Sequence, residues 1–152
     1  MSLNATYGHT NLVARDWRAL ADFYVRVFGC APVPPERDYQ GAQLDAGTGL
    51  TGAHLTGMHL RLPGWGDCGP TLEVFNYSEL LPGQPTAVNR PGYGHLAFSV
   101  DDVPAALRAV LAAGGGQVGK VVTLTTTTGA QVTWVYATDP EGNVLELQSW
   151  KG

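Results

Sequence analysis

Cysteine is nearly absent from this 152-residue chain, which holds only Cys30 and Cys68. Two isolated thiols build neither a disulfide framework nor a thiolate metal site, so they are read as reduced structural residues. Charge is also sparse, at 14% of residues, and nine Lys and Arg are scattered among thirteen Asp and Glu for a net charge of -4. A chain with no basic face or run is not a nucleic-acid binder. No stretch approaches the roughly 20 apolar residues of a membrane span. The opening Met-Ser-Leu-Asn-Ala-Thr lacks the basic and apolar regions of a signal peptide, and a cytoplasmic location is expected. What is present is an ordinary apolar fraction of 44%, in a length that suits one domain or two half-size units sharing a core.

The chain repeats itself. Tyr7-Gly8-His9 recurs as Tyr93-Gly94-His95, an offset of 86 residues (93 minus 7). Each copy opens a strand-like run, at 10–14 and 96–100, and a helical pattern begins eight residues after each histidine. In the first helix Trp17, Leu20, Ala21, Tyr24 and Phe28 form the apolar stripe, Asp16 is placed to cap it and Gly29 to end it. In the second, Val103, Ala106, Leu107, Val110 and Leu111 repeat the stripe. There Asp101 or Asp102 caps, Pro104 suits the first turn, and the glycines at 114–116 terminate.

Strand signals follow at 53–62 and 71–77 in the first half, and at 121–126, 131–137 and 144–150 in the second. The first half also holds a proline-weakened strand candidate at 31–37 and a glycine-rich stretch at 41–52 that suits a short helix. Asp139-Pro140-Glu141-Gly142-Asn143 is a turn that makes a hairpin of the last two strands. Residues 78–91, rich in proline, read as an exposed connector with the boundary near Asn89. The expectation is one domain over 1–152: module 1 over 1–77, a linker over 78–91 and module 2 over 92–152.

The ends of the halves repeat as well, because Thr71-Leu72-Glu73-Val74 corresponds to Val144-Leu145-Glu146-Leu147. Each half begins with a histidine and ends with a glutamate whose apolar neighbours point to the opposite face of its strand. Approximate twofold packing would bring His9, Glu73, His95 and Glu146 to one centre. Two carboxylates held together repel unless one protonates or a cation neutralises them, and a divalent metal is the simplest resolution. Mixed N and O ligands fit Zn, Ni, Co, Fe or Mn better than Mg or Ca. On an octahedral ion, two positions remain for a substrate chelating through vicinal oxygens. Asn11, Ser99 and Gln148 lie at even offsets from His9, His95 and Glu146, and are the candidate substrate-orienting residues. His54 and His59 lack repeat partners and are read as ordinary hydrogen-bonded or solvent-facing histidines.

These features resemble the vicinal oxygen chelate superfamily, which includes glyoxalase I, methylmalonyl-CoA epimerase, extradiol dioxygenases, and fosfomycin and bleomycin resistance proteins. The likeness spans nearly the whole chain. It is carried by His-Thr-Asn-Leu-Val at 9–13, Ala-Asp-Phe-Tyr at 21–24 with Phe28-Gly29, Gly-Tyr-Gly-His at 92–95 with Val100-Asp101-Asp102-Val103, and Asp-Pro-Glu-Gly-Asn at 139–143 before Leu-Glu-Leu. The resemblance implies an α+β fold of two βαβββ modules, forming an eight-stranded cupped mixed sheet with helices outside, commonly as a homodimer. It also implies the glyoxalase I ligand order, which His9, Glu73, His95 and Glu146 match.

Epimerase-like members usually have glutamine at the second position, and iron dioxygenases use two histidines and one glutamate, so Glu73 departs from both. Glutathione-dependent glyoxalases carry an arginine where this chain has Val13, and the asparagine expected four residues after the first glutamate is displaced to Asn76, with Tyr77 in its place. The implied activity is a metal-dependent lyase or isomerase acting through a metal-chelated enediolate on a small molecule with vicinal oxygens that is not bound to glutathione. By resemblance Glu146 is the base, with Glu73 its partner. The alternatives are an acyl-CoA epimerase-like enzyme, an iron-dependent ring-cleaving dioxygenase, and a metal-free binding protein that would use Trp65, Trp134 or Tyr136.

Overall fold

Strand β1 (His9–Val13) leads directly into helix α1 (Trp17–Phe28). Asp16 caps α1 by accepting a hydrogen bond from the Ala19 amide, and Gly29 ends it in the left-handed conformation that costs a glycine nothing. The second half begins in the same way, with β5 (Leu96–Ser99) and α3 (Val103–Ala112), where Asp102 is the cap and Pro104 sits in the first turn. In this computed structural model, which describes residues 3–151, the chain divides into two compact units, one running to Pro82 and the other starting at Gly83.

The first unit continues with β2 (Ala31–Gln40), the short α2 (Ala42–Thr48), β3 (His54–Arg61) and β4 (Thr71–Tyr77). Its strand order is β1-β4-β3-β2, with β1 parallel to β4 and the remaining pairs antiparallel. The second unit adds β6 (Gly116–Gln117), β7 (Val122–Thr125), β8 (Gln131–Thr138) and β9 (Val144–Lys151). Its order is β5-β9-β8-β6, and β7 also pairs with β8. The fold is α+β and both sheets are mixed, as expected, and each unit closes its first strand in parallel on its last.

Nine strands form among the described residues where eight were expected. The extra one, β6, lies in the glycine tract read as a helix terminator. Gly115 explains why: a Cβ there would lie 2.4 Å from the Thr138 carbonyl and 2.6 Å from the Val110 side chain. Only glycine lets the chain leave α3 this close to β8. The proline-bearing strand also runs longer than expected, to Gln40, with a bulge between Val33 and Arg37.

Helices α1 and α3 each cover one face of their own sheet. Leu20, Phe23 and Tyr24 of α1 are fully buried, as are Leu60, Leu72 and Val74 on the strands beneath. Phe23 displaces Phe28, which is only half-buried, from the expected stripe. In the second unit Val103, Leu107 and Val110 meet Val135, Ala137, Leu145 and Leu147, while Leu111 of the expected stripe is exposed. Asp139, buried in the β8–β9 turn, accepts from the amides of Glu141 and Asn143 and from the Asn143 side chain, so the turn motif is satisfied from within.

Candidate functional site

With Leu72 and Val74 turned toward α1, strand alternation sends Glu73 to the other face of the first sheet. The register then selects its neighbours. Asn11 of β1 and His59 of β3 stand opposite Glu73, and His9 stands opposite Thr71 one row away. Opposed residues share a face, so Asn11, Glu73 and His59 form a row across three strands.

The side chains engage accordingly. His59 Nε2 lies 2.6 Å from Glu73 Oε2, His9 Nε2 lies 3.7 Å from Oε1, and Asn11 Nδ2 donates to Oε1 at 2.9 Å. His59 Nδ1 is 2.8 Å from the hydroxyl of the buried Thr71. The His9 and His59 rings meet edge to face at 5.3 Å. Ligand atoms of His9, His59 and Glu73 all fall within 4.8 Å of one another. Burial holds the His59 pKa below its usual value; Glu73 opposes that shift, while Arg37 and His9 reinforce it. A neutral imidazole follows, with a lone pair to offer.

Phe75 flanks this row on the same face. Its partner in register is Gly57, where a Cβ would lie 2.3 Å from the Phe75 ring and 2.2 Å from the Val74 carbonyl. The missing side chain lets the ring lie over β3, with its centroid 6.2 Å from that of His59.

In the second unit Glu146 faces away from Leu145 and Leu147 and stands opposite Ala97 and Tyr136. His95, one residue before β5, places Nε2 at 2.8 Å from Glu146 Oε2. The His95 and Tyr136 rings are 5.1 Å apart, and Trp134 meets Tyr136 edge to face at 4.9 Å. Ser99 and Gln148 are paired in register, and the Gln148 side-chain oxygen Oε1 accepts from the Trp150 indole.

His59 is the residue that sequence reasoning did not bring to this cluster. Its place opposite Glu73 corresponds to that of Tyr136 opposite Glu146, so a search for repeated histidines passes over it. The spacing hides it further: equivalent residues are offset by 86 at the histidines, 77 from His59 to Tyr136, and 73 at the glutamates. The signal available was the strand register, since His59 and Glu73 share a face once β3 and β4 pair. His54 does lie elsewhere, bound to Asp38 at 2.7 Å. Asn11 is engaged with Glu73, and the displaced Asn76 ties the β1–α1 loop through the Ala14 and Arg15 carbonyls. Trp65 is exposed in the loop after β3.

A sequence model of the Glyoxalase/Bleomycin resistance protein/Dioxygenase superfamily matches residues 6–147. The chain belongs to this superfamily. Solved structures of the glyoxalase superfamily agree in fold. A glyoxalase family protein from Bacillus cereus has 18% identity and a TM-score of 0.79 over 100% of this chain and 97% of its own. A glyoxylase/bleomycin resistance protein/dioxygenase domain from Frankia has 18% identity and a TM-score of 0.60, over 99% and 100%. A glyoxalase family protein from Enterococcus faecalis has 22% identity and a TM-score of 0.58, over 95% and 98%. No curated protein matches the sequence.

Members of the superfamily commonly bind a divalent metal, and the donor set of the first unit fits one. If His59 donates from Nδ1 to Thr71, its Nε2 lone pair faces a carboxylate oxygen at 2.6 Å, an arrangement that a cation between them resolves. Hydrogen bonds to Thr71 and Asn11 orient the ring and the carboxylate, as supporting groups do around metal ligands. No helix among the described residues is long and apolar enough to cross a membrane.

Proposed function

We propose that this protein is a divalent-metal-dependent lyase or isomerase that moves a proton next to a carbonyl of a small substrate with vicinal oxygens. The observation that carries the reading is the convergence of His9, His59 and Glu73 on one sheet face. His59 is added to the expected ligand set, and His95 and Glu146 are kept as the ligand and base pair of the second unit. A bound Zn, Ni, Co, Mn or Fe ion supplies Lewis-acid polarisation of the substrate oxygens.

The remaining work falls to the protein's own groups. Asn11 and His59 fix the Glu73 carboxylate, so Asn11 acts on Glu73 rather than on the substrate. Glu146 takes the proton, and His95 at 2.8 Å orients its carboxylate and shares the charge. Gln148, with its side-chain oxygen held by Trp150, keeps its amide nitrogen as a donor toward substrate, and Ser99 beside it offers a hydroxyl. Val13 in place of the expected arginine argues against a glutathione conjugate. A homodimer in the cytoplasm completes the reading.

Metal analysis of the purified protein followed by NMR of α-carbon deuterium exchange on 2-oxo, 2-hydroxy and acyl-CoA compounds tests it. The expected result is stoichiometric metal that His59→Ala removes, with exchange that Glu146→Gln abolishes. Metal far below one per chain under varied supply overturns the site; metal without exchange discards the proton transfer alone. One observation favours a second reading: two histidines and one carboxylate are the donor set of non-haem iron oxygenases. Oxygen uptake with a catechol under Fe(II) loading would select it.

A further inference from the structure

The sheet face that carries His59 and Glu73 also carries two arginines that have no carboxylate partner among the described residues. Arg61 stands opposite Thr71 in register and Arg37 opposite Gly57, so both share the face of the candidate metal ligands. Between Val33 and Arg37 β2 advances four residues while β3 advances two, so the bulge leaves Arg37 on the His59 side and sets its row, opposite Gly57, while Asp38 reaches His54 on the other side. Both arginines are half-buried. Each donates to a backbone carbonyl, Arg37 to Pro35 and Arg61 to Gly69.

Two exposed arginines of the same unit differ. Arg18 is paired with Glu36 and Arg26 with Asp22, whereas among the described residues neither Arg37 nor Arg61 has a carboxylate within ion-pair distance. Glu73, the carboxylate on the same face, is engaged by His59 and Asn11. Arg37 is close enough for its charge to be felt at His59. A half-buried guanidinium beside a site built for a cation leaves an excess of positive charge, which an incoming anion neutralises. Its planar fork of donors suits a carboxylate in particular.

We propose that Arg37, assisted by Arg61, binds a carboxylate of the substrate remote from the vicinal oxygens, so that the substrate class is a small 2-oxo or 2-hydroxy diacid. This deepens the metal-dependent reading above and rests on it. Neighbouring strands lie about 4.8 Å apart and alternate residues of a strand roughly 6.6 Å apart, which sets Arg37 diagonally from His59 at roughly 8 Å between Cα atoms. A guanidinium at that place can hold a second carboxylate of a molecule whose vicinal oxygens lie at the ligand cluster, a group that a four- or five-carbon diacid carries and a three-carbon monoacid lacks.

The test is calorimetric titration of the Ni(II)-loaded protein with 2-oxoglutarate and with pyruvate, which share the vicinal oxygens and differ in the remote carboxylate. The expected result is at least tenfold tighter binding of the diacid. Arg37→Gln should remove that preference while leaving pyruvate affinity and nickel stoichiometry unchanged, and Arg37→Lys should restore part of it. In parallel, the Arg37 Nε–H resonance is followed by NMR in metal-free protein titrated with succinate, where a saturable shift is expected. A diacid preference that survives Arg37→Gln, equal affinity for both acids, or an unmoved Nε–H signal overturns the proposal. Failure of nickel to bind would instead strike the metal-dependent reading, and the succinate titration would still decide the arginine site.

Discussion

The two units share a scaffold and differ in what they mount on it. In both, a histidine stands at or just before the start of the first strand, and a glutamate on the last strand and an aromatic or imidazole ring on the neighbouring strand occupy equivalent positions in register. In the first unit that ring is His59 and the result is a three-donor cluster; in the second it is Tyr136 and the result is a histidine–carboxylate pair beside an aromatic row. The glutamates are similarly sheltered, with side chains 12% and 17% exposed, so burial does not separate the two. The identity of one side chain does. The repeat therefore explains the placement of the donors, while departures from the repeat decide their chemistry.

The strongest test of the shared scaffold removes the leucines that anchor the glutamates. Leu72 and Leu145 precede Glu73 and Glu146 and are both fully buried against their helices. Leu72→Ala and Leu145→Ala should each cost about 2–5 kcal/mol of unfolding free energy in denaturant titrations, as buried leucine truncations do. A loss in one unit several kcal/mol larger than in the other would break the equivalence of the two cores.

A second test addresses the donors. Glu73→Gln or His59→Ala should weaken Zn(II) or Ni(II) binding by at least roughly 100-fold, since even loss of a supporting hydrogen-bond partner costs about 10–100-fold. Tyr136→Phe, at the equivalent place in the second unit, should leave metal affinity unchanged. Competition titration with a chromogenic chelator measures both. Equal effects from His59 and Tyr136 would remove the chemical distinction between the units.

Much of this architecture is legible in the sequence, for identifiable reasons. Asp16 and Gly29 punctuate α1, Asp102 and Pro104 open α3, and the Asp139 turn closes the final hairpin because capping and turn chemistry are local. Glu73 and Glu146 stand out because alternation with buried leucines assigns a face without knowledge of the partner strand. His59 and Arg37 do not stand out, because their roles arise from pairing across strands. His59 becomes significant only when β3 is aligned on β4, and Arg37 only when the bulge in β2 has been counted. The strand β6 is hidden for a related reason: its glycines answer to the close approach of β8 and Val110, which no local pattern announces.

The comparison is sharpened by making the second unit resemble the first. Tyr136 stands opposite Glu146 as His59 stands opposite Glu73, and its ring already lies 5.1 Å from His95. Tyr136→His, made in a His59→Ala background, should recover about tenfold in nickel affinity, equivalent to about 1.4 kcal/mol. The recovery is incomplete by expectation, since Ala97 replaces Asn11 at the place that orients the first glutamate. No recovery would mean that register equivalence does not extend to side-chain geometry.

The smallest expected effect uses a feature that belongs to the first unit alone. Both cysteines lie there, and they differ: Cys68 is exposed, whereas Cys30 is buried just after α1 and burial raises its pKa from 9.0 to about 11. Because the folded-state pKa lies above the unfolded value, the folded thiol resists ionisation. Stability is unaffected below about pH 9 and falls as pH rises from 9 toward 11, where the unfolded chain releases a proton that the folded chain retains. At pH 10 the loss should be about 1 kcal/mol relative to pH 8, and Cys30→Ala should flatten that part of the profile. Thiol alkylation gives an independent readout: at pH 8 one equivalent of iodoacetamide should react promptly at Cys68, and the second only as the first unit unfolds. Prompt modification of Cys30 in the native protein would show that the seam beneath α1 opens more readily than its burial implies.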